Sequence, residues 1–373
     1  MEQEIISLAE CGDGEFAVNR SVELLRQGKL AVFPTETVYG LAALASNEDA
    51  VKRLCVEKGR RAGHALPVAI SGIDALNDFI PNLCPLAKRL ATRFWPGPLT
   101  LVLNADDPQS AVWTLPEFSR RAVMPESTVG FRTPRNDFLL RVLRKLNEPI
   151  VLTSANLSGE APATSASEAR DALGARPDFV IDDGPASFGK PSTVVRIDGK
   201  DVTVLREGAV SKDKLVRGMA KVVVFVCTGN TCRSPLAEVL CKKALAERLG
   251  TSASELEAHG YVILSAGISA PNFAPASIQS RQVAQDYGLS LTDHSARTFD
   301  ETLAKIADRI YTLGASHRNV LLNYYPELRD RISLLRVDGG DVDDPFGASV
   351  EVYRACAKQI EEQIRARLPE ILE

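Results

Sequence analysis

The sequence lacks the features of several large classes of protein. Its 373 residues contain no apolar run near the roughly 20 residues that a membrane-spanning helix needs. The first residues have neither the positive charge nor the apolar stretch of a signal peptide. The seven cysteines are odd in number and widely spaced, unlike the framework of a small secreted domain. We therefore expect a cytoplasmic protein with reduced thiols and no membrane partner.

A basic excess is also absent. The chain has 44 Lys and Arg residues against 48 Asp and Glu residues, and residues 1–212 and 213–373 each carry a net charge of −2. Proteins that bind nucleic acid stably usually carry a basic surface. We expect no stable binding to nucleic acid, and local anion sites instead.

The length and the order of predicted elements indicate two α/β domains. A chain of 373 residues is long for one domain of about 100–200 residues. Five apolar residues at 222–226 predict a strand buried on both faces, as in a parallel sheet. A polar stretch between Gly208 and Lys221 predicts the boundary, which gives domains at residues 1–210 and 221–373. We expect the second to be a doubly wound parallel sheet.

A phosphate-binding loop is predicted directly after that buried strand. Cys227 and Arg233 have the spacing Cys-x5-Arg, and Pro235 suits the first turn of a following helix. Backbone N–H groups and the positive helix end would face an anion in this loop. These groups and the arginine favour the thiolate form of the cysteine. Cys55 and Arg61 have the same spacing, but they lack the strand and the Ser-Pro sequence, so we do not expect them to be catalytic.

Residues 226–238 read Val-Cys-Thr-Gly-Asn-Thr-Cys-Arg-Ser-Pro-Leu-Ala-Glu, which resembles the active-site loop of the low-molecular-weight protein phosphatases. The resemblance covers about residues 221–373. It implies that Cys227 forms a cysteinyl-phosphate, that Arg233 binds the phosphoryl group, and that Asp344 of an Asp-Pro pair is the general acid, with no cofactor. The other implied loop residues are Thr228, Gly229, Asn230, Thr231, Cys232 and Ser234.

The same resemblance assigns roles within the loop. Ser234 would hydrogen-bond the thiolate, and Asn230 would brace the turn. Cys232 would form a reversible disulfide with Cys227 under oxidants, or it is a buried small residue. Thr231 before the second cysteine and Phe346 after Asp-Pro are as in protein arginine phosphatases. We predict phosphorylated proteins as substrates, with phosphoarginine favoured and phosphotyrosine second. Arsenate reduction is disfavoured because no cysteine lies between positions 241 and 356.

The first domain has no GxxxxGK[ST] or GxGxxG motif before a helix, so a nucleotide would be bound by other means. Hydroxyls, amides and cations instead gather in four short segments. Cations that converge with hydroxyl-rich strand ends suit a triphosphate and a small polar substrate. The segments are residues 33–41, 57–60, 152–159 and 191–195.

These segments, in this order, resemble the YrdC/Sua5 family of threonylcarbamoyl-AMP synthases over about residues 5–210. The resemblance implies an open α/β fold around a twisted, largely parallel sheet. It also implies condensation of L-threonine, bicarbonate and ATP, with Mg²⁺ accompanying ATP, as the first step toward threonylcarbamoyladenosine in tRNA. Other tRNA-modification proteins would be indirect partners. No protein side chain is assigned as a metal ligand.

The family's signatures give the site residues of the first domain. Thr35 and Arg132 would hold threonine and its carboxylate, with Ser192 nearby, because an arginine fork suits a carboxylate. The residues implied for the phosphates and nucleotide are Lys58, Arg60, Thr153, Ser154, Asn156 and Arg206.

The sequence departs from the family pattern after these cations. It reads Gly-Arg-Arg-Ala-Gly-His-Ala-Leu at 59–66, where relatives often have two prolines and an asparagine. Two hypotheses follow. In the first, the chain is a bifunctional synthase and phosphatase. In the second, it is a phosphatase whose first domain is a non-catalytic module that binds nucleotide or RNA.

Overall fold

The computed structural model describes residues 4–12, 14–59 and 64–372. Contacts within the chain divide it into two compact units, Met1–Gly218 and Met219–Glu373. Each unit is a mixed α/β structure built on one sheet. Within the described ranges, none of the helices has the length and apolar character needed to cross a membrane.

The strands and helices of the first unit alternate along the chain. The strands are β1 (Glu4–Ser7), β2 (Ala31–Phe33), β3 (Gly40–Leu44), β4 (Val68–Ala69), β5 (Leu99–Asn104), β6 (Thr128–Arg132), β7 (Ile150–Ser154), β8 (Phe179–Asp182), β9 (Thr193–Asp198) and β10 (Asp201–Arg206). The helices are α1 (Glu15–Arg26), α2 (Glu48–Glu57), α3 (Ile73–Phe79), α4 (Pro85–Phe94), α5 (Glu117–Val123), α6 (Asp137–Leu146), α7 (Ala166–Leu173) and α8 (Lys212–Met219).

The ten strands form one sheet in the order β1-β8-β2-β3-β7-β4-β6-β5-β9-β10. Five of its nine neighbouring pairs are antiparallel. The expectation of a largely parallel sheet is therefore wrong. In two of the antiparallel pairs, a short connection joins the neighbouring strands. Residues 34–39 return the chain from β2 to β3, and two residues join β9 to β10. A parallel pair would need a longer crossover connection.

This sheet brings the polar segments together. Gly40 and Leu41 of β3 pair with Ser154 and Thr153 at the end of β7. Likewise, the starts of β5 and β9 are paired in parallel, and the end of β10 lies beside β9. Segments that are far apart in sequence therefore meet where these strands begin or end. The helices α1 and α6 pack their apolar faces against the sheet through a buried core that includes Phe33, Phe138 and Phe179.

The second unit is a parallel sheet with helices on both faces. Its strands are β11 (Lys221–Cys227), β12 (Tyr261–Gly267), β13 (Arg309–Thr312) and β14 (Ile332–Leu334). Its helices are α9 (Arg233–Leu249), α10 (Ile278–Asp286), α11 (Glu301–Ile306), α12 (Ala315–Tyr324) and α13 (Val350–Leu372). The strand order is β12-β11-β13-β14, and all three pairs are parallel.

Alternate residues of β11 enter two different cores. Val223 and Phe225 pack in a core with α9, α10 and α13, whereas Val222 and Val224 pack in a core with α11 and α12. This confirms the doubly wound arrangement predicted from the apolar run. The chain leaves β11 first toward β12 and later returns to β13 on its other side. Ligands of such folds bind at this point, beyond the carboxyl end of the first strand.

Candidate functional sites

The first unit contains two adjoining cavities of about 250 and 520 Å³. The smaller is lined by Thr35, Arg132 and Ser192 among others. The larger is lined by Lys58 and by outward-facing residues of β9. Both cavities share six lining residues, which shows that they adjoin. These are Pro67, Thr100, Thr153, Ser154, Asn156 and Arg206.

Lys58 follows the last turn of α2 and is buried. Its ammonium donates to the backbone oxygens of Ser154 and Asn156, at 2.6 and 3.0 Å, and to the amide oxygen of Asn156 at 3.2 Å. These oxygens are uncharged, so they orient the ammonium without cancelling its charge. The contacts join Lys58 to the end of β7. Arg60, the other implied cation of this segment, lies outside the described residues.

Arg132 ends β6 and is held along one edge of its guanidinium. Its Nη2 donates to the buried carboxylate of Glu36 at 2.9 Å and to the hydroxyl of Thr37 at 2.8 Å. Its Nε donates to the carbonyl of Gly97 at 3.2 Å. Within the described residues Nη1 has no hydrogen-bond partner, and Arg132 lines the smaller cavity. The two N–H groups of Nη1 are thereby left for an anion.

The hydroxyl of Thr35 makes hydrogen bonds within its own loop. Its hydroxyl donates to the carbonyl of Val38 at 2.6 Å and accepts from the amides of Thr37 and Val38. The Thr37 hydroxyl, 2.9 Å away, must then be the donor of that pair, because a hydroxyl has one hydrogen. Thr35 therefore shapes the loop, and its methyl group and backbone are what it can offer to a ligand.

Arg206 ends β10 and is fixed on Ser192. Its Nε and Nη2 donate to the Ser192 carbonyl at 3.2 and 2.9 Å, and Nη2 is 3.1 Å from the Ser192 hydroxyl. That hydroxyl lies 2.9 Å from the hydroxyl of Thr100. Burial, followed by the positive charge of Arg132, lowers the pKa of Arg206. Two guanidiniums thus face one enclosed space, which favours an anionic ligand there.

The second unit places Cys227 at the end of β11, with α9 beginning at Arg233. The Cys227 sulfur lies 3.0 Å from the Ser234 hydroxyl. Asn230 has a φ of 53°, in the left-handed region. Its amide nitrogen donates to Ser234 and Ser265, both at 2.9 Å. Residues 227–234 therefore form a tight loop whose turn is held by a buried amide.

Arg233 is buried and faces Asp344. Its Nη2 lies 2.7 Å from an Asp344 carboxylate oxygen, and Nη1 donates to the Val342 carbonyl at 3.4 Å. Its Nε is buried and has no hydrogen-bond partner among the described residues. A buried N–H without an acceptor costs about 1–3 kcal/mol. A phosphoryl oxygen in the loop would satisfy this donor. The side chain of Asp344 is half-exposed, so water can reach it.

Four hydrogen bonds from other segments also fix the loop. His294 Nε2 lies 2.7 Å from the Asn230 carbonyl, and the Arg297 amide donates to the Asn230 side chain at 3.0 Å. The amides of Ile268 and Ser269 donate to the Cys227 and Thr228 carbonyls. The residue that ends β12, Gly267, is packed so closely that an added Cβ would lie 2.4 Å from the Thr228 carbonyl oxygen.

The remaining loop residues differ in exposure. Gly229 and Thr231 are half-buried, whereas Thr228 is exposed. Phe346 is 79% exposed, and its amide donates to Asp344 at 3.2 Å. Cys232 is buried, and its sulfur lies 3.2 Å from the Tyr353 hydroxyl. Thr231 and Phe346 are thus both accessible to a substrate.

Three of the other thiols differ from Cys227 in their surroundings. None of the seven cysteines forms a disulfide bond within the described structure. Burial raises the pKa of Cys356 to about 12 and the pKa of Cys241 still further, so both remain protonated thiols. Cys55 lies inside α2, which excludes a phosphate loop around it. Its partner by spacing, Arg61, lies outside the described residues.

Comparisons with known proteins match the two units separately. Residues 23–208 match the family model of Sua5, YciO and YrdC, described as telomere recombination. Residues 222–373 match the model of low-molecular-weight phosphotyrosine protein phosphatases. A putative threonylcarbamoyl-AMP synthase of Mycobacterium tuberculosis is 31% identical over 55% of this chain and 92% of its own. A protein-arginine-phosphatase of Bacillus subtilis is 33% identical over 38% of this chain and 91% of its own. The chain belongs to both families.

A Pyrococcus abyssi threonylcarbamoyl-AMP synthase is 34% identical over 59% of this chain. The match covers 64% of that protein, so the chain spans less than two thirds of this relative. A structure of Pyrococcus abyssi Sua5 aligns with 96% of this chain and 97% of its own, with a TM-score of 0.53 and 23% identity. This last likeness concerns the fold alone. A synthase-family domain and a phosphatase-family domain therefore share one chain.

Several residues around both sites were not singled out from the sequence. In the synthase-family domain these are Glu36, Thr37 and Thr100, which hold Arg132 or Ser192. In the phosphatase-family domain they are Ser265, His294, His317 and Tyr353, which contact the loop from other elements. Glu36 and Thr37 lie within a segment already identified as unusual. The others carry no sequence signal, because tertiary pairing alone brings them to the loop.

We predict that Gly267→Ala lowers phosphatase turnover by roughly 10- to 100-fold, because the new methyl group would displace the Thr228 carbonyl and with it the nucleophile loop. The measurement is the steady-state rate on a phosphorylated peptide. Gly72→Ala is the control, since an added Cβ there meets nothing within 4 Å. Equal turnover in Gly267→Ala and the unmutated protein would contradict this packing argument.

Proposed function

We propose that the chain is a bifunctional enzyme. The synthase-family domain forms threonylcarbamoyl-AMP and pyrophosphate from L-threonine, bicarbonate and ATP, and the phosphatase-family domain dephosphorylates proteins. One observation carries the proposal. In each domain, hydrogen bonds fix one edge of an arginine guanidinium beside a cavity or a loop that suits an anion. This arginine is Arg132 in the first domain and Arg233 in the second.

In the synthase-family domain, the smaller cavity takes threonine and the larger one takes ATP. The threonine carboxylate binds the N–H groups of Nη1 of Arg132, near Ser192. Lys58, Ser154, Asn156 and Arg206 bind phosphate oxygens, together with Arg60, and Thr153 lies where the cavities adjoin. The threonine amine must meet bicarbonate, with which it forms a carbamate and releases water. A carbamate oxygen must then attack the α-phosphate of ATP as the bond to pyrophosphate breaks. The shared wall of the two cavities is where these groups can meet.

Mg²⁺ is expected with ATP. Among the described residues, no group of three or more His, Cys, Asp or Glu side chains is arranged to hold a metal ion. Because Mg²⁺ often binds through few carboxylates and substrate phosphates, the triphosphate and water would supply most of its ligands. Bound there, the ion would neutralise phosphate charge. The product would serve the modification of tRNA by other proteins.

In the phosphatase-family domain, the Cys227 thiolate attacks phosphorus and forms an S–P bond, while the bond to the leaving group breaks. Asp344 as the acid gives its proton to the leaving nitrogen or oxygen. As the carboxylate, it then takes a proton from the water that cleaves the S–P bond and releases phosphate. Ser234 donates to the thiolate, and Arg233 binds two phosphoryl oxygens. The pairing of Arg233 with Asp344 keeps this acid at the mouth of the loop.

We propose phosphoarginine as the preferred substrate, with phosphotyrosine second. Thr231 is small and half-buried, with its hydroxyl 3.7 Å from the Cys232 sulfur, so it leaves more room beside the loop than a bulky aliphatic residue would. Its hydroxyl can accept a hydrogen bond from a guanidinium, which an aliphatic side chain cannot. The Bacillus subtilis relative that matches this domain is named a protein-arginine-phosphatase.

For the synthase, we predict pyrophosphate release from ATP that requires both threonine and bicarbonate. Arg132→Gln should lower kcat/KM for threonine about 100-fold, because charge-assisted hydrogen bonding from Nη1 to the carboxylate is lost. Arg144→Gln, an exposed arginine on α6, is the control. No threonine-dependent release by the unmutated protein would favour the alternative of a non-catalytic nucleotide- or RNA-binding module.

For the phosphatase mechanism, Cys227→Ser should abolish metal-independent hydrolysis of phosphorylated peptides. Asp344→Asn should lower turnover roughly 10²- to 10⁴-fold, because the general acid is lost. The neighbouring Asp343→Asn is the control and should retain most of the turnover. Full activity in Cys227→Ser would refute the covalent mechanism.

For substrate preference, the unmutated protein should hydrolyse phosphoarginine peptides with a higher kcat/KM than phosphotyrosine peptides. Thr231→Ile should move this ratio toward phosphotyrosine, because it replaces a hydroxyl by a bulky apolar wall. Thr292→Ile, at an exposed position, should leave the ratio unchanged. A ratio that favours phosphotyrosine before mutation would overturn the assignment.

A further inference from the structure

His317 lies beside the nucleophile loop but has no place in the proposed mechanism. It is on α12 and is only 3% exposed. Its Nε2 is 3.0 Å from the hydroxyl oxygen of Thr228, the residue that follows Cys227. Which atom donates in this pair depends on which ring nitrogen carries the proton. The environment of the other nitrogen decides that question.

Nδ1 of His317 is buried and has no hydrogen-bond partner among the described residues. Oδ1 of Asp341 accepts from the Ala315 amide at 2.7 Å, and neither carboxylate oxygen of Asp341 is hydrogen-bonded to Nδ1. A buried N–H group without an acceptor is rarer in proteins than an acceptor without a donor. The proton of a neutral ring therefore belongs on Nε2, and the lone pair on Nδ1.

The ring is neutral under ordinary conditions. Burial, followed by the positive charge of Arg233, lowers the pKa of His317 to about 4, although Asp341 and Asp344 act in the opposite direction. A neutral ring with its proton on Nε2 donates to the Thr228 hydroxyl oxygen. The hydroxyl's own hydrogen must then point away from the ring.

Thr228 is exposed and directly follows Cys227 in the loop, so a hydroxyl hydrogen that points away from the ring is available to another acceptor. We propose that His317 is a positioning residue that makes the Thr228 hydroxyl a hydrogen-bond donor to a phosphoryl oxygen. This inference rests on the proposed phosphatase function. It adds a neutral donor to the loop, in addition to the backbone N–H groups and Arg233.

A donor of this kind recognises the phosphoryl group and not the leaving group. Its removal should therefore weaken the binding of phosphoarginine peptides, phosphotyrosine peptides and inorganic phosphate to a similar degree. A side chain that selects the leaving group, as proposed for Thr231, would leave inhibition by inorganic phosphate unchanged. Inorganic phosphate is thus the probe that separates the two roles.

The experiment measures the inhibition constant of inorganic phosphate together with kcat/KM on both peptides. Thr228→Val keeps the shape of the side chain and removes the hydroxyl. It should raise the inhibition constant about tenfold, the effect of losing one hydrogen bond to a charged group. Thr228→Ser should stay within about threefold of the unmutated protein, because it keeps the donor.

The role of His317 is tested by a double-mutant cycle. His317→Phe should reproduce the effect of Thr228→Val, and the double variant should be no worse than either single one. His317→Gln, which offers an N–H at a similar place, should recover most of the binding. His259→Phe, at an exposed position, is the control. If His317→Phe fails to fold, the inhibition constants of His317→Gln and Thr228→Val still test the proposed role of His317.

An inhibition constant that is unchanged in Thr228→Val overturns the inference. Additive effects of Thr228→Val and His317→Phe also overturn it, because independent roles would then be shown. Neither result touches the phosphatase proposal, which fails only if Cys227→Ser remains active. The two failures are therefore distinguishable.

Discussion

Both sites depend on a cation that the protein fixes on one side and leaves open on the other. Arg132 is fixed by Glu36, Thr37 and the Gly97 carbonyl. Arg233 is fixed by Asp344 and the Val342 carbonyl. A guanidinium held in this way has lost its conformational freedom before a ligand arrives, which lowers the entropic cost of binding. The remaining N–H groups then define where an anion can bind.

The two sheets provide these fixed positions in different ways. In the phosphatase-family domain, one buried parallel strand leads directly into the loop, and a helix begins at its other end. One continuous segment therefore carries the proposed nucleophile and most of the proposed anion ligands. In the synthase-family domain, the mixed sheet collects short segments from β6, β7, β9 and β10. Each segment contributes one or two groups, so the cavity exists only when the whole sheet has formed.

This difference explains how much could be predicted from the sequence. The apolar run at 222–226, the loop spacing and the position of Pro235 lie within 15 residues, and local rules relate them to one fold and one chemistry. Asp344 lies 111 residues beyond Arg233, so only the family resemblance pointed to it, and its contact with Arg233 was not predicted. His317 and Ser265 had no local signal, because only the packing of β12 and α12 against the loop brings them there.

In the first domain the polar segments could be identified, but their geometry could not. The sequence marks Thr35 as a candidate substrate residue, but it does not reveal the hydrogen bonds that the Thr35 hydroxyl makes within its own loop. The antiparallel pairing of β2 with β3 and of β3 with β7 was also missed, because β3 is a run of small apolar residues without alternation.

The measurement that tests the bifunctional account most directly is mass spectrometry of the small products formed by one preparation that also hydrolyses a phosphoarginine peptide. The account predicts threonylcarbamoyl-AMP when ATP, threonine and bicarbonate are all present. Peptide hydrolysis without any threonylcarbamoyl-AMP would contradict it.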